Sequence, residues 1–168
     1  MFELSRAGYQ NLVGVDFSAG MLARCRLEHP GVLLLQNDGQ TLPLLTGSID
    51  VALLFAVLTC IPNGLEQERQ LAEVSRVLRP GGLLYLSDLL INDDPRNRER
   101  YEQYADVYKC YGVFELAEGA VLRHHTKEWI DKLTSSFDRL EYESFEVTTM
   151  NQNKSAAFQY LGRKVTNR

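Results

Sequence analysis

The sequence predicts an α/β fold: a doubly wound, mostly parallel sheet with helices on both faces, finished by an antiparallel hairpin. Two observations carry the prediction. From residue 11 to about residue 90, short apolar runs alternate with helical stripes in the rhythm of βαβ units. Near the end, two long β-type runs at 140–150 and 155–163 flank the polar turn Asn151-Gln152-Asn153-Lys154, which reads as a hairpin.

The elements follow in order. Residues 11–16 form a short β-rich run ending in Asp16, and Ser18 is placed to cap a helix that puts Met21, Leu22 and Cys25 on one face. Pro30-Gly31 stops that helix. Residues 32–36 are almost wholly apolar, as in a strand buried on both faces, and Asn37-Asp38-Gly39 is turn chemistry. Residues 49–55 repeat the buried-strand pattern. Asn63 with Glu66 three positions later resembles a capping box, Leu71, Val74 and Leu78 make a helical stripe, and Pro80-Gly81-Gly82 ends it before a strand at 83–87. The rhythm then breaks. Residues 95–111 read as a helix carrying Tyr101, Tyr104, Tyr108 and Tyr111, and Thr126 caps another that turns Trp129, Ile130 and Leu133 inward. In the first strand of the hairpin, Leu140 and Tyr142 are out of phase with Phe145 and Val147, which predicts a bulge near Ser144.

Composition narrows the function. The chain has 168 residues, 45% hydrophobic and 24% charged, which suits one globular domain over 1–168. Its parts are 1–90, 91–137 and the hairpin at 138–168. Neither half is basic, so no nucleic-acid partner is signalled. Cys25, Cys60 and Cys110 are far apart, without a CxxC pair or a histidine at ligand spacing, against both a disulfide framework and a zinc site. No apolar run reaches membrane-spanning length, and acidic Glu3 stands where a signal peptide is basic; the chain reads as cytoplasmic, with no membrane partner.

Chemistry concentrates at strand ends. A carboxylate at the end of a parallel strand, here Asp16, can accept hydrogen bonds from both hydroxyls of a ribose. Asp38-Gly39 ends the next strand, where a carboxylate can accept from an adenine amino group, and Phe17 can cover a purine face. Each feature alone is an ordinary strand-end turn; their shared register favours an adenosine.

Val15-Asp16-Phe17-Ser18, Asn37-Asp38-Gly39, Ser48-Ile49-Asp50-Val51-Ala52 with Phe55, and Leu78-Arg79-Pro80-Gly81-Gly82 occur in the order and spacing of class I S-adenosylmethionine-dependent methyltransferases. The chain resembles that family over residues 1 to about 90, and the hairpin resembles its last two strands. The resemblance implies a Rossmann-like sheet, S-adenosylmethionine as cofactor and methyl transfer to a small-molecule acceptor. It further implies Asp16 on the ribose, Phe17 and Met21 flanking the adenine, Asp38 and Gly39 at its amino edge, and Phe55, Ala56 and Val57 beneath the methionine moiety. Residues 91–137 fall where such enzymes vary their substrate cover, which makes Tyr104, Tyr108, Phe114, His124 and His125 the acceptor-site candidates; packing alone also accounts for the tyrosine stripe, and a loop pair for the histidines.

One departure is large. Family members place a strand, an acidic-Gly-x-Gly-x-Gly loop and a helix before the segment that begins here at Leu12, and only eleven residues precede it. The first strand and its loop are therefore expected to be missing, and the chain reads as an N-terminally truncated form. The open slot is expected to be closed by direct pairing of 12–16 with 49–55 or to drive self-association. Two other readings stay open: a non-catalytic fragment or interaction protein that keeps the fold, and a nicotinamide-dependent oxidoreductase.

Overall fold

The computed structural model of the protein describes residues 2–149 and 152–166. The chain forms two compact units, Met1–Leu45 and Thr46–Arg168.

In the first unit a short helix α1 (Phe2–Arg6) precedes β1 (Val13–Asp16), α2 (Ala19–Glu28) and β2 (Leu33–Gln36). The two strands pair in parallel, from Val13 opposite Leu33 to Asp16 opposite Gln36. Ser18 caps α2 as expected, its side chain accepting from the Met21 N–H at 3.3 Å. Of the three residues assigned to the inner face, Leu22 is buried, Cys25 is half-buried and Met21 is exposed. The expectation that 32–36 is buried on both faces does not hold, since Leu33 is 57% exposed. Among the described residues β2 has one strand neighbour, β1, and an apolar run reports a capacity for burial, not the presence of a cover.

The second unit holds a mixed four-stranded sheet in the order β3-β4-β8-β7, built from β3 (Ile49–Phe55), β4 (Leu78–Leu89), β7 (Phe137–Thr148) and β8 (Lys154–Lys164). β3 and β4 are parallel, while β4–β8 and the hairpin β7–β8 are antiparallel. Leu54, Leu84, Leu86, Phe158 and Tyr160 from the strands are buried with Leu71, Val74 and Val77 of α3 (Gly64–Val77). Asn63 caps α3, its Oδ1 accepting from the N–H groups of Leu65 and Glu66 at 2.9 and 3.2 Å. The helix ends at Val77; Leu78, placed on its stripe, is fully buried but already belongs to β4.

Pro80-Gly81-Gly82 does not precede the strand; it is an excursion inside it. The register steps from Ile49 opposite Leu78 to Val51 opposite Leu83, and Gly81 has φ +75°. A Cβ on Gly82 would meet the Arg79 and Asp50 carbonyl oxygens at 2.9 and 3.1 Å, so backbone contact selects glycine there. β3 is an edge strand among the described residues, and Val51, Leu53 and Phe55 are exposed, correcting the expectation of a strand buried on both faces.

Between β4 and β7 lie α4 (Pro95–Tyr108), the short antiparallel pair β5 (Val113–Glu115) and β6 (Val121–Arg123), and α5 (Lys127–Leu133) capped by Thr126. The sequence pattern did not reveal β5–β6, because three-residue strands are too short to show a period. α4 stops at Tyr108 as Lys109 adopts a left-handed conformation at φ 50°, so Tyr111 lies outside the helix predicted over 95–111. The bulge in β7 falls at Leu140, between Arg139 and Glu141, and not near Ser144. With that single offset, Tyr142 stacks on Phe158 with ring centroids 5.8 Å apart, and Phe145 and Val147 simply take the opposite face. Met150 and Asn151 lie outside the described residues. No described helix is long and apolar enough to cross a membrane.

Candidate functional site

Within the first unit, the parallel register brings Asp16, Phe17, Met21, Asp38 and Gly39 to the carboxyl ends of β1 and β2. Asp16 Oδ1 accepts from the Ser18 N–H at 2.8 Å, which fixes the strand-to-helix turn. No bond to Oδ2 is found among the described residues. The Phe17 ring is 68% exposed, while its carbonyl accepts from Gln36 Nε2 at 3.0 Å. Asp38 Oδ1 accepts from the N–H groups of Gln40 and Thr41, both at 2.8 Å. Those backbone bonds hold its carboxyl below the usual range and keep it charged. Gly39 has φ +77°, a conformation that favours glycine, with nothing within 4 Å of a notional Cβ. The free oxygen of Asp16 and the uncovered face of Phe17 fit a ribose hydroxyl and an adenine.

Within the second unit, Phe55, Ala56 and Val57 follow from the carboxyl end of β3. Phe55 packs on Tyr85 with ring centroids 5.3 Å apart but remains exposed. Ala56 has φ 51°, rare for a residue with a Cβ, and its N–H donates to the Ser87 carbonyl at 2.9 Å. Asp88 holds this turn from behind. Buried at 3% exposure, it accepts from the Thr59 N–H at 3.1 Å, the Thr59 hydroxyl and the Leu89 N–H at 2.8 Å, pinning the short 3₁₀ turn Leu58–Cys60 that follows Val57. Sequence reasoning missed Asp88, although an acid directly after an apolar strand was a legible signal.

The acceptor-site candidates divide. Tyr104 and Tyr108 are half-buried on α4, ring centroids 6.1 Å apart, with the Tyr108 hydroxyl donating to Glu115 at 2.8 Å. Phe114 and His124 are buried against Tyr101, and the Arg100 guanidinium lies 3.5 Å from the Phe114 centroid. Burial, reinforced by Arg100, pushes the His124 pKa down to about 3, so the ring is neutral and its Nδ1 meets the Tyr101 hydroxyl at 2.6 Å. His125 is likewise buried and its pKa lowered, chiefly by burial. Its Nδ1 lies 3.2 Å from the Leu89 carbonyl, which can only accept; Nδ1 therefore carries the proton and Nε2 faces Gln67 Nε2 at 2.9 Å. Gln67 in turn accepts from Trp129 Nε1 at 2.6 Å. His124 and His125 thus tie elements of this unit together.

The sequence profile of the family described as methyltransferase domain matches residues 1–86. A ubiquinone/menaquinone biosynthesis C-methyltransferase of Campylobacter jejuni is 35% identical over 74 residues, 44% of this chain and 30% of that protein. A phthiotriol/phenolphthiotriol dimycocerosates methyltransferase of Mycobacterium tuberculosis is 36% identical over 83 residues, 48% of this chain and 30% of that protein. The alignments thus span about 30% of the length of these curated relatives. A SAM-dependent methyltransferase structure from Methanosarcina mazei aligns with a TM-score of 0.91 at 24% identity, covering 99% of this chain and 87% of that one. One from Mesorhizobium loti aligns with a TM-score of 0.72 at 22% identity, covering 97% and 84%. At such identities the likeness establishes the fold, which is the Rossmann-like α/β fold of methyltransferases.

Proposed function

Because this chain belongs to the methyltransferase-domain family, we propose that it takes part in S-adenosylmethionine-dependent methyl transfer to a small-molecule acceptor. The observation that carries this reading is the pair of carboxylates, Asp16 and Asp38, at the ends of adjacent parallel strands. S-adenosylmethionine supplies a methyl carbon bonded to a positively charged sulfur. Within the first unit, Asp16 would hold the ribose, Phe17 and Met21 the adenine faces, and Asp38 and Gly39 its amino edge. Transfer is an in-line displacement, so alignment supplies much of the acceleration and no dedicated base is required. Tyr104 and Tyr108, the half-buried aromatics of α4, are the side chains we assign to acceptor contact. His124, neutral and bonded to the Tyr101 hydroxyl, and His125, bonded through both ring nitrogens, support a framework role.

Calorimetric titration of the full chain with S-adenosylmethionine tests the reading. Saturable binding is expected, and Asp16→Ala should weaken it by about 2–3 kcal/mol through loss of charge-assisted hydrogen bonds. Equal affinity of the variant and the parent removes Asp16 from the site. Binding without methyl incorporation into any acceptor would favour the non-catalytic reading.

A further inference from the structure

A second polar centre in the larger unit, centred on Arg123, shares only Tyr108 with the residues assigned above. Arg123, the last residue of β6, is 7% exposed. Its Nη1 donates to the Pro62 carbonyl at 3.3 Å and its guanidinium lies over the Trp129 ring at 4.6 Å, but Nε has no hydrogen-bond partner among the described residues. Among the described residues no carboxylate forms an ion pair with it. A buried cation is ordinarily matched by an anion, because losing its hydration costs several kcal/mol. Burial accordingly draws its pKa below the ordinary value. Arg100 is also stacked on an aromatic ring with an Nε unpartnered among the described residues; Arg123 in addition lines a pocket of about 410 Å³.

We propose that this pocket binds a small monoanionic carboxylic acid, with the Arg123 guanidinium taking the carboxylate. The walls match such a ligand. Leu65, Tyr108 and Trp129 supply apolar and aromatic surface, and Lys132, 4.7 Å from the Trp129 ring, adds positive charge. Glu68, which Lys132 contacts at 2.6 Å, also lines the pocket and penalises a doubly charged ligand. Gly64 keeps the floor open: a Cβ there would come within 3.1 Å of Trp129 and 3.3 Å of Arg123 Nη1. A planar guanidinium suits a carboxylate, which it can grip with two parallel hydrogen bonds.

Trp129 is the only tryptophan, so its fluorescence reports this pocket directly. The full chain, without cofactor, is titrated with sodium benzoate, with the neutral isostere benzamide and with inorganic phosphate. Benzoate is expected to give a saturable change that benzamide does not reproduce, weakened at least about tenfold in Arg123→Gln. Lys132→Glu alters an exposed side chain outside the core and is expected to weaken benzoate several-fold. That variant, and the benzoate–benzamide contrast in the parent, decide the matter even if Arg123→Gln does not fold. The proposal is overturned by the absence of a saturable response to benzoate, by an equal response to benzamide, or by unchanged affinity in Lys132→Glu. Tighter binding of phosphate than of benzoate would overturn the choice of a monocarboxylate. Because no cofactor is present, failure here leaves the methyl-transfer reading untouched, and failure of that reading leaves this one standing.

Discussion

His124 shows how one buried side chain makes stability depend on pH. In the folded chain its pKa is about 3, against an ordinary value of 6.5, because the ring is buried and faces Arg100, Arg96 and His125, with Asp94 opposing them. The unfolded chain therefore binds the extra proton first. Stability from this group is fully present above pH 6.5 and is lost as pH falls toward 3, by an amount on the order of a few kcal/mol. Urea denaturation from pH 7 to pH 4 should show a steeper loss in the parent than in His124→Asn, which has no proton to gain; parallel curves would contradict this. Gly162 makes a second residue-scale case. A Cβ there would meet the Tyr160 ring and hydroxyl at 2.5 to 2.8 Å, since both residues lie on the same face of β8. Gly162→Ala is expected to cost about 1–3 kcal/mol by thermal denaturation.

At the scale of elements, helix starts were legible and their surroundings were not. Ser18, Asn63 and Thr126 each stand where the sequence places a cap, and each accepts the expected backbone hydrogen bond. A cap is a local bargain between one side chain and the next two or three N–H groups, so nothing distant is needed to recognise it. Asn63→Ala should destabilise the second unit by about 1 kcal/mol, read from the urea midpoint, because it frees two N–H groups. Asp88 depends instead on long-range folding: its partner Thr59 lies 29 residues away in sequence. Asp88→Ala is expected to cost about 2–3 kcal/mol, and to weaken S-adenosylmethionine binding if the turn at Ala56 and Val57 holds the methionine moiety. Calorimetry on the folded variant separates the two effects.

At the scale of the whole molecule, the consequence to test is association. β3 ends its sheet among the described residues and exposes Val51, Leu53 and Phe55, an apolar strand edge whose charged residue, Asp50, is ion-paired with Arg79 at 2.8 Å and lies at its start. We expect concentration-dependent oligomers by sedimentation velocity, reduced by Val51→Lys. A monomer at every concentration would show that this edge is benign.

Sequence alone was enough for the α/β class, the order of the longer strands and helices though not the β5–β6 pair, the caps, the carboxylates at the ends of β1 and β2, and the family. Periodicity, turn chemistry and motif spacing are local quantities, readable within a few residues. Tertiary structure decided the rest. It set the bulge at Leu140, where Tyr142 must meet Phe158, and absorbed Pro80-Gly81-Gly82 into β4, because the Asp50 carbonyl leaves no room for a side chain at Gly82. It exposed the apolar runs of β2 and β3 and fixed His124 and His125 in a buried network. Each of these depends on what stands opposite a residue in space, and a one-dimensional pattern records how much apolar surface a segment offers but not which partner covers it.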